Sequence, residues 1–191
     1  VALLANQNSN YFNSGVAPTR AGNAHQNVVP YQVFAASDGH LIVATGNESQ
    51  YRAYCAAIGA PELGDDPRFA TNRLRVTNRD ELVGMLAAIM RQGRRDDWIA
   101  KLEAVGVPCG PINNIAQAFA HPQAQARQLR RDLPHPGGGV APVTASPLRF
   151  SDSPVVYRRA PPLLGQHTEE VLGEVLGKSP QAIAEFKASA V

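Results

Sequence analysis

The chain has 191 residues, of which 44% are hydrophobic and 18% are charged, a balance typical of a globular protein rather than a disordered one. Its 18 basic and 16 acidic residues are well mixed, so the net charge of +2 gives no electrostatic reason to expect a nucleic acid or a membrane as a partner. No apolar run approaches the ~18 residues that a membrane-spanning helix needs.

The chain opens with VALLANQNSNYF, which has no initiator methionine, no basic leader and no cleavage-site pattern of a signal peptide. Val1, Leu4 and Tyr11 fall on one face of a helix, and no capping residue precedes Val1. We therefore expect the helix to begin before Val1, in a chain that is part of a longer protein.

Residues 20–32, RAGNAHQNVVPYQ, concentrate hydrogen-bonding groups in a segment that has no helical or strand period until its last residues. We expect the side chains of Asn23, His25, Gln26 and Asn27 to have no regular partners there. The segment is either a solvated surface loop with a glycine turn or a loop that covers a ligand. Composition alone favours the surface loop, because loops commonly carry such residues.

A hairpin and three helices are predicted next. Two apolar runs flank Asp38 and Gly39, which favours strands over residues 32–37 and 40–45 joined by a tight turn with positive φ angles. The first helix is ended by Gly59 and the second begins with Thr77 as its cap. The apolar residues at helical spacing in the three helices are Tyr51, Tyr54, Cys55 and Ile58, then Leu82, Met85, Leu86, Ile89 and Met90, then Trp98, Ile99, Leu102 and Val105.

The sequence changes character after Val107 and becomes rich in proline and glycine. It predicts a short helix over residues 112–120 and short strands over residues 140–144 and 148–151. Such a segment builds no core of its own, so we expect it to cross the surface of another part of the protein. Two helices end the chain. The second has Ser179 as its cap and Pro180 at its first position, and it has an apolar stripe that needs a partner: Ala182, Ile183 and Phe186.

Four motifs follow one another across nearly the whole chain: GNAHQNVVPYQVFAASDGHLIVATGN, GVPCGPINNI, PPLLGQHTEEVL and SPQAIAEF. In this order and spacing they resemble the C-terminal half of class III CoA-transferases, the CaiB/BaiF family, which includes formyl-CoA transferase, carnitine CoA-transferase and alpha-methylacyl-CoA racemase. The resemblance implies an α/β fold with a doubly wound large domain, a small mixed α/β domain and an interlocked homodimer. Residues 1–28 would leave the large domain, 29–107 would form the small domain, 108–164 would return as a linker, and 165–191 would dock on the large domain as helices.

The resemblance also implies a reaction in which CoA moves between an acyl-CoA thioester and a small carboxylic acid. In the family an aspartate attacks the thioester, forms a mixed anhydride and then carries CoA as an aspartyl thioester. That aspartate lies just ahead of the segment that matches VALLANQ, and the residues that bind the CoA phosphates also belong to the N-terminal half. An acyl-CoA racemase or isomerase of the same fold, and a non-catalytic remnant that only binds or dimerises, are the alternatives.

The segment at residues 20–32, called the polar loop below, matches the loop that closes over the acyl-CoA thioester in the transferases. His25 is the catalytic candidate because it lies in the matching loop. Backbone N–H groups and side-chain amides of such a loop can face a developing oxyanion in a water-poor site. The formyl-CoA type has a run of glycines here, so the backbone of this loop differs. The residues expected to contact acyl-CoA are Gly22, Asn23, Ala24, Gln26 and Asn27.

Glu48 matches the glutamate that works beside a histidine and the aspartate in the racemase branch, where an acid and a base flank the α-carbon. An acid in the first turn of a helix capped by Asn47 explains the same residue equally well, because the helix dipole favours it.

The other candidate residues are interpreted as local structure. Cys109 lies in a proline-bounded turn without a cationic neighbour, and no pair of histidines has metal-ligand spacing. The glycines at 137–139 lack the strand–turn–helix setting of a phosphate loop. Cys55 and Cys109 lie far apart and fit no metal-ligand spacing, so we expect no metal. They form no disulfide framework, so we expect a reduced, cytoplasmic setting.

Overall fold

This computed structural model describes residues 2–189, and the predicted position of Val1 lies outside the described residues. The chain divides into two compact units between Asn113 and Asn114. In the part of the chain that the structure describes, no helix is both long enough and apolar enough to cross a bilayer.

The first unit begins with the helix that its sequence predicts. A 3-10 turn at Ala2–Leu4 leads into α1, Ala5–Ser14, which ends where Gly15 adopts a left-handed φ of 71°. The polar loop follows and reaches the first strand through a cis peptide bond between Val29 and Pro30.

Three antiparallel strands form the sheet of this unit: β1, Tyr31–Ala35; β2, His40–Ala44; and β3, Cys109–Ile112. Strand β2 lies in the middle, with Ala35 opposite His40 on one side and Cys109 opposite Val43 on the other. The predicted hairpin is confirmed, but the predicted turn is wrong. Residues 36–39 form a four-residue connection in which neither Asp38 nor Gly39 has a positive φ, because Asp38 instead accepts a hydrogen bond from the backbone N–H of Arg95 at 2.7 Å.

The first unit also contains five helices, of which α5 and α6 contact the sheet: α2, Glu48–Ala57; α3, Pro61–Asp65; α4, Asn72–Thr77; α5, Arg79–Met90; and α6, Arg95–Ala104. The three predicted helices correspond to α2, α5 and α6, and Gly59 has the left-handed φ expected just past α2. The predicted cap at Thr77 is wrong, since Thr77 ends α4 and its hydroxyl donates to the carbonyl of Arg73. The threonine that does cap is Thr71, whose hydroxyl accepts the N–H of Leu74.

The core of the first unit lies between the sheet and these helices. The predicted apolar faces supply most of it, and Tyr51, although buried, satisfies its hydroxyl by donating to the carbonyl of Leu63 at 2.8 Å. One guanidinium, that of Arg75, is also fully buried among the core side chains. The core residues from the predicted helices are Tyr51, Tyr54, Cys55, Ile58, Leu82, Leu86, Met90, Trp98 and Leu102.

The second unit contains two short helices, α7, Ile115–Ala120, and α8, Pro122–Ala126, and a hairpin of β4, Arg130–Pro134, with β5, Val140–Thr144. The strand predicted over residues 148–151 is absent from the described structure, where these residues have no regular backbone pairing. A short helix α9, Thr168–Glu170, continues into a π turn at Val171–Val175, and α10, Pro180–Ser189, follows with Ser179 as its cap.

Candidate active site

The polar loop is tied to the edge of the sheet by its own residues. Gly22 has a left-handed φ of 61°, and the N–H of Ala24 closes a turn on the carbonyl of Ala21. The side-chain oxygen of Asn23 then accepts the N–H of Val33 in β1 at 2.9 Å. The loop therefore has a defined position beside β1, although it has no regular secondary structure.

His25 is fixed by contacts at both its backbone and its ring. Its N–H donates to the carbonyl of Tyr31 at 2.9 Å, and its ring stacks on that of Tyr31 with centroids 5.2 Å apart. Its Nδ1 accepts the N–H of Asn27 at 3.0 Å. Because Nδ1 is an acceptor, the neutral ring carries its proton on Nε2, which is the ring atom left to donate to a ligand.

Helix α1 holds the loop from one side through amide side chains. Asn10 donates to the side-chain oxygen of Gln26 at 3.0 Å and accepts from the side chain of Asn27 at 2.8 Å. The expectation that the polar groups of the loop lack regular partners is therefore wrong. It fails because the partners come from α1, β1 and α4 and are distant in sequence.

Two residues of the α4–α5 region hold the loop backbone. The guanidinium of Arg79 donates to the carbonyls of His25 and Gln26 at 2.9 and 2.6 Å. The side chain of Asn72 donates to the carbonyl of Asn27 at 2.7 Å and accepts the N–H of Val29 at 3.1 Å. Sequence patterns gave no signal for Asn10, Asn72 or Arg79, because each acts on residues 16 to 54 positions away.

A small cavity of about 230 Å³ lies between α1 and the loop. It brings together the five loop residues that are predicted to contact acyl-CoA and the catalytic candidate His25, and α1 completes its wall. In the described structure the side-chain oxygen of Gln7 is buried at this cavity without a hydrogen-bond partner. The residues that line the cavity are Asn6, Gln7, Asn10, Gly22, Asn23, Ala24, His25, Gln26 and Asn27.

A larger open cleft of about 840 Å³ also borders Ala24, Gln26 and Asn27 and is lined by the end of α1, residues 16–21, Arg79 and Asp80. Arg20 and Arg79 place two positive charges on its wall, and Asp80 places one negative charge there. The cleft therefore presents a net positive charge beside the loop.

Glu48 is not among the residues that line these two cavities. It lies in the first turn of α2, where Asn47 caps the helix by accepting the N–H of Gln50 at 2.9 Å. Its carboxylate accepts the N–H of Asn72 at 3.0 Å, and this hydrogen bond is the main cause that holds the pKa of Glu48 below its usual value. The side chain is 48% exposed, so the carboxylate also meets solvent.

Arg75 lies behind Glu48 with its guanidinium fully buried. Its Nε donates to the carbonyl of Val29 at 2.7 Å, its Nη1 donates to that of Phe69 at 3.1 Å, and its guanidinium covers the ring of Tyr51. Its Nη2 lies 3.9 Å from the carboxylate of Glu48 and has no hydrogen bond in the described structure. Burial lowers the pKa of Arg75, and the nearby charge of Glu48 opposes that shift.

The remaining candidates behave as local structure. His121 and His135 each accept, through Nδ1, the N–H of the residue two positions further on. Cys109 lies in strand β3, not in the turn expected from its two neighbouring prolines, and burial raises the pKa of its thiol. Among residues 2–189, no cluster of three or more His, Cys, Asp or Glu side chains offers a site for a metal ion.

Comparison with known proteins identifies the family. Residues 1–168 match the model of CoA-transferase family III. The succinate–glutarate CoA-transferase of Agrobacterium fabrum is 43% identical over 174 residues, which cover 91% of this chain and 44% of that protein. The human succinyl-CoA:glutarate CoA-transferase is 38% identical over 191 residues, which cover 100% of this chain and 44% of that protein.

The solved structures agree with this result. The crystal structure of a CaiB/BaiF family protein from Brucella suis superposes with a TM-score of 0.77 at 42% sequence identity, over 91% of this chain and 45% of that one. The chain thus spans less than half the length of the relatives that it matches. With residues 1–168 inside the family model and relatives that it matches over nearly its whole length, the chain belongs to CoA-transferase family III.

Proposed function

We propose that the whole protein to which this chain belongs transfers CoA from an acyl-CoA thioester to a carboxylic acid, and that dicarboxylic acids are its preferred substrates. The observation that carries this proposal is the polar cavity built by residues 22–27 in a chain of this family. The relatives named for succinate and glutarate, and the acetyl-CoA:oxalate CoA-transferase of Acetobacter aceti, which is 36% identical over 152 residues, support the substrate class.

In this proposal the loop covers the reacting thioester. The Nε2–H of His25 donates to the acyl oxygen as negative charge develops on it, together with loop N–H groups other than those of Ala24, His25 and Asn27, which already have acceptors in the protein. Such donors stabilise a transition state best when they are already held in place, and contacts from Tyr31, Arg79 and Asn72 hold this loop before any ligand binds. Coenzyme A enters as a substrate and not as a resident cofactor.

The aspartate that attacks the thioester, and the groups that bind the CoA phosphates, belong in this proposal to a segment that precedes this chain in the complete protein. The relatives are more than twice as long as the matched region, which supports that arrangement. A homodimer and a cytoplasmic location are further parts of the proposal.

The position of Glu48 supports transfer over racemisation. A racemase needs an acid and a base on the two sides of the acyl α-carbon. Glu48 lines neither of the two cavities beside the loop, and its carboxylate accepts the N–H of Asn72 at 3.0 Å. This contact fits an anchoring role beside the loop.

The cleft beside the loop supports the choice of dicarboxylic acids. A second carboxylate on the substrate needs a positive charge, and Arg20 and Arg79 both line this cleft. Arg79 already donates to two loop carbonyls, which leaves Arg20 as the more available partner for an anion.

The test is a CoA-transfer assay on the complete protein. We expect glutaryl-CoA to form from succinyl-CoA and glutarate, and we expect a monocarboxylate of similar length to be a poorer acceptor. The 191-residue chain alone serves as the control and should give no turnover, because covalent transfer needs the nucleophile. A complete protein that exchanges the α-proton of a 2-methylacyl-CoA with deuterium, and transfers no CoA, would overturn the proposal in favour of racemisation.

A further inference from the structure

The first residue of α4, Asn72, contacts two parts of the site that the chain reaches 24 and 45 residues earlier. Its backbone N–H donates to the carboxylate of Glu48 at 3.0 Å. Its side chain donates to the carbonyl of Asn27 at 2.7 Å and accepts the N–H of Val29 at 3.1 Å. One residue therefore joins Glu48 to the end of the loop through three hydrogen bonds.

Both the oxygen and the nitrogen of the Asn72 side-chain amide make hydrogen bonds, and together these bonds fix the orientation of the amide. An amide offers an acceptor and a donor on one planar group, and here the two meet an N–H and a C=O that lie two residues apart in the loop. An ionised aspartate offers only acceptors, and an alanine offers neither group. Because Asn72 is half-buried, loss of its side chain leaves two loop backbone groups without these partners.

Arg75 reinforces the same connection from inside the unit. It lies one turn after Asn72, donates to the carbonyl of Val29 at 2.7 Å, and places its positive charge 3.9 Å from Glu48. Both residues are on α4, and both contact the Val29 end of the loop and Glu48. Helix α4 thus fixes the position of the Val29 end of the loop relative to Glu48.

We propose that Asn72 is a positioning residue that keeps the loop at residues 27–29 in place for acyl-CoA and couples it to Glu48. This proposal rests on the proposed function of the loop, but its structural part concerns the order of the loop itself. Asn72 does not line the cavity, so its effect on turnover is exerted through Asn27 and Val29 and not through contact with the substrate.

Two substitutions in the complete protein test the proposal: Asn72→Ala, and Asn78→Ala as a matched control. Asn78 precedes α5 and donates through its side chain to the carbonyl of Arg68 at 2.9 Å, so it also ties two segments together but has no hydrogen bond to the loop. Both variants should lower the thermal midpoint, because each loses a side-chain hydrogen bond to the backbone. A third variant, Asn72→Asp, keeps the shape and the acceptor, but it replaces the donor to Asn27 with a carboxylate oxygen and adds a negative charge.

We expect Asn72→Ala to raise the KM for acyl-CoA and to lower kcat/KM on the order of a hundredfold, as a displaced positioning group does. Asn72→Asp should behave like Asn72→Ala in kcat/KM, and Asn78→Ala should stay close to wild type. In the absence of ligand, deuterium uptake at residues 22–28 should rise in Asn72→Ala and not in Asn78→Ala.

The exchange measurement separates the two proposals. If the wild-type protein transfers no CoA, the proposed function fails, and the uptake at residues 22–28 still reports whether Asn72 orders the loop. If the wild type is active and Asn72→Ala matches Asn78→Ala in both kcat/KM and loop exchange, Asn72 has no positioning role and this inference is wrong.

Discussion

His25 is held by contacts that occupy Nδ1 and one face of its ring and leave Nε2 for a ligand. Replacing it by alanine removes the stack on Tyr31 and the acceptor for the N–H of Asn27. Both contacts are local, so we expect the stability to fall by no more than about 1 kcal/mol. If the proposed reaction is correct, turnover of the complete protein should fall on the order of a hundredfold, because the proposed donor to the developing oxyanion is lost.

His121→Ala is the matched control for this substitution. His121 accepts the N–H of Gln123 through Nδ1 at 3.1 Å, in the same local pattern as His25 and Asn27, but lies in the second unit. The two measurements are the melting temperature and the rate per folded molecule. If both variants melt earlier and both keep the wild-type rate, His25 is only a structural residue.

Glu48 supplies a prediction in pH. Its pKa in the folded protein lies below the ordinary value of 4.5, so the stability that its charge contributes is fully present above about that pH and is lost as the pH falls through the folded pKa. Glu48→Gln keeps an acceptor for the N–H of Asn72 and removes the charge beside Arg75. Because the side chain is half exposed, we expect the variant to melt only on the order of 1 °C lower than wild type at pH 7.

The melting temperatures of wild type and Glu48→Gln are then compared at about pH 3, which tests whether the charge on Glu48 stabilises the fold. Carboxylates other than Glu48 are present in both proteins, so the difference between the two melting curves isolates Glu48. The gap should shrink or vanish in acid. A gap that widens as the pH falls would mean that the charge on Glu48 destabilises the fold.

The residue types of the loop could be recognised from the sequence, but their partners could not. A run with Asn23, His25 and Gln26 is recognisably polar and irregular. The groups that satisfy it come from α1, β1, α4 and Arg79, and no local period relates those positions to the loop. For Glu48, the first-turn position in α2 was predictable from Asn47, whereas its contact with Asn72 was not.

At the scale of the elements, patterns of period 2 and 3.6 identify strands β1 and β2 and helices α2, α5 and α6, because each is long enough to show its buried face. Strand β3 was not predicted, because its four residues, Cys109–Ile112, include Gly110 and Pro111. Its pairing partners in β2 are 66 or more residues away in the sequence. Helix α4 lies in the charged connection DDPRFATNRLRV, where the sequence indicates at most a short helix, because α4 has six residues and its most buried side chain is that of an arginine.

Close packing between two elements gives a prediction that is independent of function. Gly93 follows α5, and a Cβ added there would lie 2.4 Å from Cε2 of the buried Trp98, whose Nε1 donates to the carbonyl of Met90 at 2.9 Å. Gly93→Ala must therefore displace the indole, and we expect it to lower the stability by about 1–3 kcal/mol.

Gly84→Ala is the control with the opposite sign. Gly84 lies inside α5, its φ is ordinary, and an added Cβ would have no described atom within 4 Å apart from the backbone of its own helix and its chain neighbours. Alanine is the better helix former by roughly 1 kcal/mol, so this variant should unfold at a higher denaturant concentration. Equal midpoints for the two alanine variants in urea would show that the packing around Trp98 is looser than the structure indicates.

At the scale of the molecule, the two units differ in how much core they contain. The first unit buries a continuous set of apolar side chains between its sheet and helices. In the second unit the described buried hydrophobic residues are Ala145 and Ile183, while Leu164 and Phe186 are exposed. The proline-rich and glycine-rich composition after Val107 predicts such a lack of core, because it has no long apolar period.

The chain covers about 44% of the length of its relatives, and this fraction explains which parts of the function its sequence reveals. The loop that contacts the acyl group in the proposal is present, so its residues can be named. The nucleophile and the phosphate-binding groups are assigned to another segment, so the reaction can be tested only in the complete protein.

The central claim is that residues 22–27 cover bound acyl-CoA, and hydrogen–deuterium exchange on the complete protein tests it most directly. With succinyl-CoA at saturation, backbone amides at residues 20–30 should exchange more slowly than in the free protein. The turn between β4 and β5, at residues 135–139, should exchange at the same rate in both states. If binding of succinyl-CoA is verified and residues 20–30 exchange as fast as without it, the loop does not cover the thioester and the claim is contradicted.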